Sequence, residues 1–72
     1  MVKMYVNSYG HSETFEEDQI VAIGEDPNGH YRVFATGINS KDADAECWKA
    51  IREYVERRPD TGPVSKWRIV YG

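Results

Sequence analysis

Cys47 is the only thiol in the chain and the first candidate nucleophile. It lies in an apolar helical stripe beside Trp48, where a free cysteine is far more often packed core than reactive thiolate. His11 and His30 are the two imidazoles, and neither has an acid or a nucleophile at the spacing of a proton relay or triad. Both read as solvated surface side chains. A zinc site made from His11, His30 and Cys47 would require three separate elements to converge with no short ligand pair to nucleate it. No metal is expected. Glu16, Glu17 and Asp18 set three carboxylates in a row, but without the glycine-punctuated spacing of a calcium loop. Gly24, Gly29 and Gly37 stand alone, with neither the companion glycines nor the lysine of a phosphate loop. The expectation is a protein without a cofactor and without an enzymatic activity.

The elements that must position these residues follow from periodicity. Residues 2–9 alternate Val2, Met4 and Val6 with Lys3, Tyr5 and Asn7, the period of two that marks a half-buried strand. Residues 10–18 are polar and acidic and predict an exposed loop whose best anchor is Phe15. Residues 19–24 and 31–38 are apolar runs on either side of Asp26-Pro27-Asn28-Gly29. Pro27 presets φ for a turn, and Asn28 and Gly29 tolerate positive φ, so the two runs predict a hairpin.

Asn39 and Ser40 can each cap a helix, with Asp42 and Asp44 in its first turn. Ala43, Cys47, Ile51, Tyr54 and Val55 then form one apolar stripe with Trp48 at its edge, and Pro59 ends the helix. Asp42 and Asp44 would repel a phosphate backbone at this helix start. Asp60-Thr61-Gly62-Pro63 reads as a turn, after which Trp67, Ile69 and Tyr71 alternate with Lys66, Arg68 and Val70 as a last strand. The fold class predicted is α+β: an antiparallel sheet of about four strands with one helix on one face, in the order β-β-β-α-β. Residues 1–72 are expected to form a single small domain.

The composition permits that fold. Of 72 residues, 40% are hydrophobic and 29% charged, which is globular and too apolar for a disordered chain. A core this small leaves little stability for a deep, enclosed reaction chamber, so a binding surface is expected instead. One cysteine provides no disulfide framework, and no apolar run is long enough to span a bilayer. The sequence therefore predicts a cytoplasmic protein with no membrane association.

A helix with one apolar stripe covers one side of a sheet. The core expected between them is Val2, Met4, Val6, Tyr31, Val33, Ala35, Trp67, Ile69 and Tyr71. The opposite, open side would then present Lys3, Tyr5, Asn7, Arg32, Phe34, Lys66, Arg68 and Val70. Charge divides along the chain as well: the net charge of −3 is the sum of −6 over residues 1–46 and +3 over residues 47–72.

Two functions follow. The first is a non-catalytic protein-binding module that docks on a larger protein, such as a nucleic-acid-binding complex, and regulates or inhibits it. Its carriers would be Glu13, Glu16, Glu17 and Asp18, mimicking nucleic-acid phosphates, with Tyr5 and Phe34 exposed on the sheet. Free-standing domains of this size without catalytic motifs are common among phage and mobile-element proteins, including inhibitors of host defence such as anti-CRISPR proteins. The second is direct nucleic-acid binding, with Tyr5 and Phe34 stacking on bases and Lys3, Arg32, Lys66 and Arg68 meeting phosphates. The same open face could instead bury itself in a homodimer.

Overall fold

A computed structural model describes residues 2–7 and 10–72 of the chain. The Pro27-Asn28-Gly29 segment turns as its chemistry dictates. The Gly29 N–H donates to the Asp26 carbonyl at 3.0 Å, and the Asp26 carboxylate accepts the Tyr31 N–H at 3.0 Å. Gly29 alone takes positive φ in this turn, at 73°. The turn joins two antiparallel strands, Ile20–Glu25 and Arg32–Gly37, in a register running from Ile20 opposite Gly37 to Glu25 opposite Arg32.

The helix runs over Ser40–Arg57 and is capped by Asn39, whose side chain accepts the Asp42 N–H at 2.8 Å. Its buried residues are Ala43, Cys47, Ile51 and Tyr54, four of the five in the predicted stripe, and the fifth, Val55, is half-buried against the same core. Two 3-10 turns, Pro59–Thr61 and Val64–Lys66, return the chain to a final strand, Arg68–Tyr71, antiparallel to Ile20–Glu25.

The fold is α+β, with two differences from the sequence reading. Residues 10–18 are not all loop: Ser12–Glu16 is a strand, antiparallel to Val2–Val6. In chain order the strands are therefore β1 (Val2–Val6), β2 (Ser12–Glu16), β3 (Ile20–Glu25), β4 (Arg32–Gly37) and, after helix α1, β5 (Arg68–Tyr71). They form two sheets, a β1-β2 ribbon and a three-stranded sheet in the order β4-β3-β5. The predicted continuation of the first strand through Ser8 and Tyr9 lies outside the described residues.

The second difference is the face that β1 buries. Strand alternation puts Ala22, Gly24, Val33, Ala35, Ile69 and Tyr71 on the sheet side that meets α1. Ala22, Ala43, Cys47, Ile51, Tyr54 and Trp67 make the core there, with Tyr31, Val33, Ala35 and Ile69 packed against it. Val2, Met4 and Val6 take no part and are 55%, 66% and 49% exposed. The helix covers a sheet to which β1 does not belong. Tyr71 also leaves the predicted core: it is half exposed, and its hydroxyl donates to Asp44 of α1 at 2.8 Å.

The ribbon instead turns Lys3, Tyr5, Glu13 and Phe15 inward. The Tyr5 ring lies 6.0 Å from Phe15 and 5.8 Å from Phe34 of β4, and Phe15 is 6.1 Å from Phe34. Val21, on this same side of β3, has no exposed surface. The three-stranded sheet thus meets α1 on one face, and the ribbon's aromatic cluster covers part of the other, around Phe34. No helix among the described residues is long and apolar enough to cross a membrane.

Candidate interaction surface

The acidic run is built into a tight turn rather than a long loop. Gln19 closes it from both ends: its N–H donates to the Glu16 carbonyl at 3.2 Å, and its side-chain oxygen accepts the Glu16 N–H at 3.2 Å. Lys3 then fixes Gln19 itself, donating from Nζ to the Gln19 carbonyl at 3.1 Å. Glu16, Glu17 and Asp18 are all exposed on this corner. Glu13 is separated from them by the pleat. It is half-buried on the ribbon's inner side, where its carboxylate accepts the Asn7 side-chain amide at 3.1 Å.

Tyr5 and Phe34 are together, as the sequence places them, but they are not an open stacking platform. Each packs on the other and on Phe15, and both are half-buried. The part of the expected open face around Phe34, for bases or for a second copy, is occupied by this chain's own ribbon, while Arg32 and Arg68 on that face stay exposed.

Three of the four basic residues, Lys3, Arg32 and Arg68, are also engaged within the fold. Glu25 stands on the central strand between Arg32 of β4 and Arg68 of β5. Its carboxylate meets Arg32 Nε at 3.5 Å and accepts Arg68 Nε and Nη2 at 3.2 and 2.9 Å. Such exposed pairs add little stability, but they offset the charge that phosphates would seek. Lys3 is held by Gln19, and Lys66 stands apart beside the β3–β4 turn, where it lines an open cleft with Arg68 and Asp26. The four do not form a stripe.

Cys47 is fully buried. Burial, reinforced by the negative charge of Asp44 and opposed by the Gly24 backbone amide, raises its thiol pKa from 9.0 to about 11. It is a packed thiol, protonated at neutral pH. His11 and His30 are exposed, and no group of three or more metal-ligating side chains gathers among the described residues. One cleft, between the ribbon and β4, is lined by Asn7, Glu13, Arg32, Val33, Phe34 and Tyr54. At about 180 Å³ it is smaller than the pockets that hold most ligands.

Two features escaped the sequence reading. Glu25 gives no local signal, because the arginines that it serves, Arg32 and Arg68, reach it only through strand pairing. Gln19 has no local signal of its own, because its role exists only in the turn that it closes with Glu16.

No family model, curated protein or solved structure matches this chain. Its surfaces carry the functional reading.

Proposed function

We propose that this chain is a small, non-catalytic protein-binding module that docks on a larger protein and regulates or inhibits it through its acidic corner. One observation carries the reading: Glu16, Glu17 and Asp18 are exposed together on a turn pinned by Gln19 and Lys3. A pinned turn presents negative charge with little ordering entropy left to lose on binding. Three carboxylates exposed on one corner concentrate negative charge, so the partner surface they suit is a basic groove. That chemistry suits a partner that handles nucleic acid in the cytoplasm, such as a host-defence complex that an anti-CRISPR-like inhibitor of phage or mobile-element origin would bind.

Direct nucleic-acid binding has less support. Tyr5 and Phe34 are packed on Phe15, and Arg32 and Arg68 share Glu25.

The test is affinity capture from a host lysate, with and without nuclease, followed by titration of the recovered protein against the triple variant Glu16→Lys, Glu17→Lys, Asp18→Lys. Capture that survives nuclease and weakens at least about tenfold in the variant supports the proposal. Unchanged affinity in a variant with native near-ultraviolet circular dichroism overturns the acidic corner as the site. Recovery of nucleic acid alone overturns the protein-binding reading.

A further inference from the structure

Val2, Met4 and Val6 form a row of exposed apolar side chains on the outer face of β1, 55%, 66% and 49% exposed. An unpaired strand edge beside an exposed apolar row is a ready template for pairing with another strand. The backbone beside this row defines what fits there. The Asn7 N–H donates to the His11 carbonyl at 2.9 Å, and this fixes the parity of the ribbon. Bonded pairs alternate along an antiparallel ladder, so Lys3/Phe15 and Tyr5/Glu13 are the other bonded pairs of the register. The N–H and C=O groups of Val2, Met4 and Val6 therefore point away from β2. No strand among the described residues pairs with that edge.

We infer that the occupant of this edge is a second copy of the chain, joined β1 to β1 about a two-fold axis at Met4. An antiparallel pair centred there sets Met4 opposite Met4, and Val2 opposite Val6 of the other copy. Those are the residues whose backbone groups point outward, so donors meet acceptors at every pair, and the apolar rows of both copies become neighbours. A two-fold contact requires such self-complementarity. Charge agrees: the only charged residue of β1 is Lys3, which falls opposite Tyr5 of the second copy. The ribbon's other edge, β2, carries Glu13 and Glu16 and leads into Glu17 and Asp18, a charged edge of the kind that resists pairing. The product is a four-stranded sheet, β2-β1-β1-β2, with the two acidic corners at opposite ends.

Sedimentation equilibrium of the full chain over a wide concentration range tests this. The expected result is a reversible rise from 8.3 kDa to twice that mass. Met4→Pro is the informative variant, because the N–H it removes faces away from β2 and the ribbon's own ladder is spared. It should weaken the dimer at least about tenfold while Tyr5 and Phe15 keep their native near-ultraviolet signal. Met4→Lys, which brings two like charges together at the axis, should do the same. In mixed isotope-labelled dimers, a nuclear Overhauser contact between the Lys3 and Tyr5 α-protons of different copies is expected. A chain that stays monomeric at every concentration overturns the inference. So does a dimer that a folded Met4→Pro chain forms equally well.

Discussion

At the scale of single residues, Cys47 shows how the fold suppresses a reactive group. The thiol is fully buried, and desolvation raises its pKa from 9.0 to about 11. The folded chain should therefore ignore a thiol reagent near neutral pH and react with one equivalent after denaturation, as colourimetric thiol titration would show. The same shift links stability to alkali. The folded thiol keeps its proton where the unfolded one has lost it, so its contribution is whole below pH 9.0 and is lost as pH rises towards about 11. Chemical denaturation on either side of that window should register a loss on the order of 2 kcal/mol. Cys47→Ala, with nothing to titrate there, should lack this share. Equal losses in both chains would assign the alkaline sensitivity to a group other than Cys47, such as Tyr71, whose phenol pKa is raised chiefly by its hydrogen bond to Asp44.

At the scale of elements, α1 lies so close to the sheet that two strand positions have no room for a side chain. A Cβ on Gly24 would come within 2.6 Å of Ile51 Cδ1 and 2.9 Å of Val33 Cγ2. A Cβ on Gly37 would strike the backbone nitrogen of Ala43 and come within 2.9 Å of its Cα. Side chains can give way where backbone cannot. Gly24→Ala should therefore cost about 1–3 kcal/mol by overpacking, and Gly37→Ala should cost more, about 4 kcal/mol or above, because α1 itself must move. Urea denaturation ranks the two, and the reverse order would mean that the helix entry is looser than this packing requires. The sequence shows these elements clearly because their signals are local: turn residues at 27–29, a cap at Asn39, and apolar residues every three or four positions. β2 was hidden because its outward residues, Ser12, Thr14 and Glu16, are polar, and only Phe15 supplies an apolar inward side chain. The alternation of β1 was legible but its direction was not. Tyr5 turns inward because Phe15 and Phe34 wait there, and that contact joins three elements that no local pattern connects. The acidic run was readable as exposed charge, whereas the Gln19 and Lys3 bonds that shape it depend on the ribbon's place in the fold.

At the scale of the whole molecule, the chain is three layers of unequal strength. The sheet and α1 share the apolar core around Ile51, a fully buried side chain whose burial alone contributes about 1.5–3 kcal/mol. The ribbon is attached more lightly, through the half-buried Tyr5, Phe15 and Phe34 rings and the Lys3 bond to Gln19. Two strands alone are marginal in water, so the ribbon's order depends on that aromatic cluster. Phe15→Ala should release it: a loss of about 1–3 kcal/mol, confined to β1 and β2 rather than spread through the chain. Amide hydrogen exchange measures this directly. Protection should fall across β1 and β2 while β3, β4 and α1 keep theirs, the signature of a local opening below the global transition. Uniform loss in every element would mean that the ribbon and the sheet unfold as one unit. Local release also bears on binding, because the acidic corner takes its shape from Gln19 and Lys3, and Lys3 belongs to the ribbon. Phe15→Ala should then weaken any partner held by Glu16, Glu17 and Asp18 without removing a single charge, through the ordering entropy that the loosened turn must lose again on binding.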